Sequence, residues 1–159
     1  MSTQILYYVE GNLTNSGSAE ERQLEAKDPS QVVVANTANS NKEEDKWMIT
    51  PEPKDGIVVK FQSKKFGNYL GTVSSQVVCN ANLQPSATEF RLTAVGKEGT
   101  DIIYNIQPVG GSPDCTNKFL TMDDPKGGQK ITVVAKMTND THKQKWKFKG
   151  APGGSADNR

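Results

Sequence analysis

The side chains with chemistry to offer are few, and most stand in the last third of the chain. Asp123 and Asp124 follow a short apolar run. Asn139, Asp140 and His142 come just before a tryptophan, and His142 is the only histidine. One imidazole supplies at most one proton shuttle near neutral pH, and no nucleophile motif frames a serine or cysteine. Asp123 and Asp124 are adjacent, so on a strand they point to opposite sides and do not form the paired carboxylates of an acid–base hydrolase. The run from Asp123 to Gly128 lacks the oxygen pattern of a calcium loop. No glycine-rich phosphate loop follows a strand and opens a helix, and no paired cysteine spacing suits zinc. The expectation is a protein with no catalytic activity, no metal and no cofactor. The five residues instead suit recognition of hydroxyl groups, because carboxylates accept hydrogen bonds and amides both accept and donate. Asp and Asn also dominate turns for backbone reasons, so the elements that hold these residues decide between the two roles.

Composition narrows the classes further. At 159 residues the chain has the length of one domain with its own core. Nineteen basic and 18 acidic residues nearly cancel, which removes the electrostatic case for nucleic acid or an anionic membrane. The late lysines Lys143, Lys145, Lys147 and Lys149 have period two and read as the solvated face of a strand. Two cysteines, Cys79 and Cys115, are expected as reduced thiols, although spacing alone leaves a disulfide open. The apolar run from Ile5 to Val9 is too short for a signal-peptide core, and no stretch has the length of a membrane span. A cytoplasmic protein, or one released without a signal peptide, is expected. On that expectation the glycosylation-type triplets at Asn12 and Asn139 carry little weight.

The elements that must position these residues follow from the last strand, Lys143-Gln144-Lys145-Trp146-Lys147-Phe148, whose alternation puts Trp146 and Phe148 on one face. Two earlier stretches end in the same way, Asp45-Lys46-Trp47-Met48-Ile49 and Thr88-Glu89-Phe90-Arg91-Leu92. Each delivers a large aromatic and an apolar residue two places on. Between them lie β-rich runs. The first unit, about 4–50, carries Gln4–Val9, a stretch around Leu24 that reads as strand or short helix, and Gln31–Ala35. The second, about 57–95, carries Ile57–Phe61, a run through Leu70, and Ser75–Asn80. The third, about 101–149, carries Asp101–Ile106, Lys118–Met122 and Lys130–Val134. Ser30-Gln31-Val32-Val33 recurs as Ser75-Gln76-Val77-Val78, and Leu24, Leu70 and Leu120 mark a common position. Variable spacing between fixed strands is how a repeat of one supersecondary unit behaves. Four strands in each of three units make an all-β, twelve-strand barrel in one domain over 1–150. Residues 151–159 read as a flexible tail.

Three four-stranded units, each ending in a polar-x-aromatic step with Gln144-x-Trp146 as its fullest copy, resemble a β-trefoil. More narrowly they resemble the ricin-B-like (QxW) superfamily in the form found among fungal intracellular lectins. The resemblance implies that Trp47, Phe90 and Trp146 plug the barrel and do not stack on sugars. It also implies glycan or glycoprotein partners held by surface loops, with Asp123, Asp124, Asn139, Asp140 and His142 as the candidate contacts. In galactose-binding members an Asp follows the Leu of the second strand and an Asn precedes the Gln of the aromatic step. Here those places hold Glu25, Gly71 and Thr121, then Glu44, Ala87 and Lys143. No unit keeps both, so the ligand or its site differs from the family's galactose site. Plant Kunitz-type and mushroom protease inhibitors resemble the same outline, and they present a stiff loop to a protease. Lys54, in the proline-flanked connector from Pro51 to Asp55, and Lys27, before Asp28-Pro29, would serve that alternative. A monomer or homodimer is expected in either case.

Overall fold

A computed structural model of the chain describes residues 5–12, 21–36, 42–74, 79–110, 113–116, 118–123, 132–136 and 144–151. Twelve strands cover most of them: β1 (Leu6–Asn12), β2 (Glu21–Asp28), β3 (Gln31–Asn36), β4 (Trp47–Thr50), β5 (Val58–Ser63), β6 (Tyr69–Ser74), β7 (Cys79–Gln84), β8 (Phe90–Glu98), β9 (Asp101–Pro108), β10 (Phe119–Asp123), β11 (Thr132–Lys136) and β12 (Trp146–Ala151). Short 3-10 turns span Glu43–Asp45 and Pro113–Cys115. The stretch around Leu24 is strand. Its side chains carry no continuous apolar stripe for a helix to bury, and Leu24 and Ala26 alternate inward as a strand requires.

The pairing corrects the expected twelve-strand trefoil of three alike units. All ladders are antiparallel, and the strands close as a nine-strand barrel. Its ring runs β1–β2–β3–β7–β6–β5–β8–β9–β12 and back to β1. β4 bridges β1 and β5 across this ring, and β10 attaches through β11. The departure lies in the third unit. β1 passes to β2 through a ladder at Glu10–Gln23, and β5 passes to β6 at Gln62–Tyr69. Among the described residues β9 makes no ladder with β10. The connecting chain detours instead through the 3-10 turn at Pro113–Cys115, where Cys115 is disulfide-bonded to Cys79.

That disulfide corrects the expectation of reduced thiols. The Cα atoms lie 5.7 Å apart although 36 residues separate them, a distance within the range a disulfide needs. Only the fold brings them together, so no reading of spacing could pair them. A second correction concerns the repeat. Val32 faces Ala26 across its hairpin as Ala81 faces Thr72. Ala26 and Thr72 each lie two residues past the marker leucine, so Val32 corresponds to Ala81 and not to Val77. The ladders thus match Val32 differently from the shared letters, whose second copy, Ser75–Val78, lies outside the described residues.

The core is built around Trp47, Phe90 and Trp146, each fully buried, with Leu24, Leu70 and Leu120 beside them. Rings of this size bury about 150–250 Å² each, worth roughly 4–6 kcal/mol at about 25 cal/mol per Å² against a fully extended chain. Both tryptophans also keep their indole N–H satisfied. Trp47 Nε1 donates to the Leu24 carbonyl at 3.0 Å and Trp146 Nε1 to the Leu120 carbonyl at 2.9 Å. Each bond joins a unit's fourth strand to its second. Near the start of β12, Lys147 is buried rather than solvated and places its Nζ 2.7 Å from Glu98 Oε1. Ala151, expected in the tail, pairs with Leu6 and is buried.

Candidate functional site

The segment entering β12 is tied to β10 by polar side chains. Gln144 is fully buried, and its Nε2 donates to Thr121 Oγ1 at 3.0 Å. Thr121 in turn donates to the Phe119 carbonyl at 2.7 Å, and Asn105 Nδ2 donates to the Gln144 carbonyl at 2.9 Å. A buried polar group needs such partners to offset its lost hydration. Asp123 ends β10 two residues beyond Thr121, opposite Thr132 in the ladder. The Thr121–Gln144 bond therefore draws the chain that follows His142 toward the strand that ends at Asp123. Asp124, Asn139, Asp140 and His142 themselves lie outside the described residues.

The first unit repeats this contact with different chemistry. Glu25 follows Leu24 as Thr121 follows Leu120, and Asp45 precedes Trp47 as Gln144 precedes Trp146. Asp45 is fully buried, and neither of its oxygens has a hydrogen-bond donor among the described residues. Burial, then the side-chain hydrogen bond and negative charge of Glu25, push its carboxyl up to about 8. The two observations agree. Two ionised carboxylates only accept, whereas one shared proton turns the pair into donor and acceptor. Lys42 Nζ stands 3.5 Å from Glu25 Oε1 and offsets part of the remaining charge. The spacing contained the signal for this pair. Once Leu24 and Trp47 are matched to Leu120 and Trp146, Glu25 and Asp45 must meet.

The second unit holds no comparable group. Gly71 occupies the place of Glu25 and Thr121, and a Cβ there would lie 2.8 Å from Gln84 Cδ and 3.1 Å from Thr88 Oγ1. Gln84 and the buried Thr88 therefore fill the space that a polar side chain takes in the other units. Corresponding places in the three units thus hold an acid pair, a filled gap and an amide–hydroxyl bond. Among the described residues no cluster of three or more His, Cys, Asp and Glu side chains could hold a metal ion.

The two lysines considered for a protease-binding loop are both exposed. Lys27 is near the end of β2, before a turn in which Asp28 Oδ1 accepts from the backbone N–H groups of Ser30 at 2.8 Å and Gln31 at 2.9 Å. These bonds hold the Asp28 carboxyl below its ordinary value. Lys54 lies between β4 and β5, some distance along the chain from Lys27. Its loop is pinned to β8, since Gly56 N–H donates to the Leu92 carbonyl at 2.7 Å and Asp55 Oδ1 accepts from Ala94 N–H at 2.8 Å.

No protein-family model and no curated protein sequence matches the chain. Solved structures do match its fold. The Rhizoctonia solani agglutinin superimposes with a TM-score of 0.60 at 21% identity, over 91% of this chain and 94% of that one. A ricin B-like lectin from Macrolepiota procera, solved in complex with lactose, gives a TM-score of 0.61 at 16% identity, over 96% and 99% of the two chains. ThreeFoil, a designed 3-fold symmetric protein, gives 0.61 at 15% identity, over 90% and 96%. The chain is thus similar in fold to ricin B-like, trefoil-type lectins along nearly its whole length. It differs from the simple outline in the way its third unit joins the ring.

Proposed function

We propose that this chain is a carbohydrate-binding protein of the ricin-B-like kind, without catalytic activity of its own. The observation that carries this reading is its likeness in fold to lectins over more than nine-tenths of both chains. Fold alone does not fix function, so the contacts matter. The third unit supplies them: Asp123 and Asp124 after β10, and Asn139, Asp140 and His142 before β12. What supports this choice is that the Gln144–Thr121 bond ties the start of β12 to β10, the two strands that these segments adjoin in sequence. The first unit is the weaker candidate, since its Glu25 carboxylate is already engaged by Asp45 and Lys42. The protein acts on glycans or glycoproteins as a monomer or homodimer, in the cytoplasm or released without a signal peptide. The Cys79–Cys115 disulfide favours the released location, because cytosolic glutathione keeps such thiols reduced.

A glycan array tests the proposal. The wild-type chain binds a defined set of glycans, and Asp123→Ala or Asp140→Ala removes that binding while circular dichroism stays unchanged. Absence of binding to every glycan would overturn it. The exposed Lys54, on a loop fixed at Asp55 and Gly56 to β8, supports a second reading as a protease inhibitor. That reading requires inhibition of trypsin-like or cysteine proteases that Lys54→Ala, or Lys27→Ala, abolishes.

A further inference from the structure

A cleft of about 220 Å³ opens elsewhere on the molecule, between β1, β9, β12, the chain after β4 and the turn joining β8 to β9. Three aromatic rings line it. Phe148, from β12, has Tyr104 at 5.3 Å in a tilted arrangement and Tyr7 at 6.4 Å with its plane turned 74°. Behind Phe148, Phe61 lies at 6.0 Å and itself packs edge-on against the buried Phe90. The cleft rings are thus continuous with the core and hold their orientation. Pro53 and Ile102 add apolar wall, and Glu52, Thr100 and Asp101 complete the lining.

Charge in this cleft is not balanced. Asp101 has Lys149 Nζ 3.6 Å away. Glu52 is exposed and, among the described residues, makes neither an ion pair nor a hydrogen bond. Burial first, and then Glu52 for Tyr7 and Asp55, outside the cleft, for Tyr104, raises both phenols, so both rings are neutral and electron-rich. The volume is below the ≈ 300–1,000 Å³ of pockets for drug-sized ligands, so the occupant is a small head group.

We propose that this cleft binds an organic cation, an alkylated ammonium group of the choline type, against the rings of Tyr7, Tyr104 and Phe148 with Glu52 as its counter-charge. Tyr7 and Phe148 stand at 74° to each other and line the cleft with Tyr104, so a rounded cation meets more than one ring, whereas a sugar ring needs one open flat platform. The methyl groups of such a cation also find Pro53 and Ile102, which have nothing to offer hydroxyl groups. None of the residues lining the cleft is among those proposed to contact glycans.

The test is a titration of the full chain with choline and with tetramethylammonium, followed by NMR of the tyrosine ring protons and by calorimetry. Saturable binding is expected. The uncharged isostere 3,3-dimethyl-1-butanol should bind about tenfold more weakly or not at all, because it keeps the shape and loses the cation–π attraction. Glu52→Gln, at an exposed position, should weaken choline about threefold and flatten the dependence on salt. Tyr7→Leu should weaken it by roughly three- to tenfold with the fold checked by circular dichroism. Equal affinity for the neutral isostere, no saturable shift with either cation, or full binding by both folded variants would overturn the proposal. Displacement of choline by galactose or lactose at the same rings would also overturn it, by making the cleft a sugar site.

Discussion

Replacing Asp45 by Asn should stabilise this protein, by an amount that depends on pH. Asp45 is fully buried, and its carboxyl titrates near 8 instead of at its ordinary 3.8, chiefly through burial and then through Glu25. Glu44 adds to the rise and Lys42 opposes it. A raised carboxyl binds its proton more tightly in the folded state than in the unfolded chain. Its contribution to stability is therefore complete below about pH 4 and is lost as pH climbs toward about 8, where the unfolded chain has long since released that proton. At about 1.4 kcal/mol per unit, keeping Asp45 protonated at pH 7 costs at most about 4 kcal/mol, measured from its unfolded value. Asparagine fills the same volume, carries no titratable proton, and can donate an amide hydrogen bond to Glu25 as Gln144 does to Thr121. Urea unfolding of both proteins from pH 4 to pH 9 measures the effect. Asp45→Asn should match the wild type near pH 4, exceed it by a few kcal/mol near pH 7, and hold a constant lead above pH 8. A stability difference independent of pH would refute the shared-proton account. So would a variant less stable than the wild type at pH 7.

Three further outcomes follow from the same geometry. Trp146→Phe should cost about 1–3 kcal/mol in chemical denaturation, because it strands the Leu120 carbonyl and leaves a small void in the plug. Reducing the Cys79–Cys115 bond, which closes a 36-residue separation, should lower stability by roughly 3–4 kcal/mol on the chain-entropy estimate. Urea curves with and without dithiothreitol should show it, and Cys115→Ala should make the two curves coincide. Gly11→Ala should destabilise by about 1 kcal/mol, read as a lower Tm, since its Cβ would sit 3.1 Å from the Lys145 carbonyl and 2.8 Å from Met122 Cε. The methionine can swing aside, but the carbonyl belongs to the chain entering β12.

The sequence by itself determined the strands and the plug. Alternation around Trp47, Phe90 and Trp146 marked three fourth strands, and the leucines at 24, 70 and 120 marked three second strands, because side-chain direction along a strand has a fixed period of two. It also set Glu25 against Asp45 and Thr121 against Gln144, although that pairing becomes visible only when the units are aligned through the leucines. The shared letters misled because ladder partners, not letters, fix the register, and the ladders match Val32 to Ala81. The ring was decided by tertiary structure, because ladders join strands far apart in the chain and the detour at Cys115 leaves β10 outside the β9 ladder. So was the burial of Lys147, which depends on where Glu98 arrives from another hairpin. The aromatic cleft is the same kind of fact. Tyr7, Tyr104 and Phe148 read separately as ordinary strand residues, and only closure of β1 and β9 against β12 brings their rings around one space.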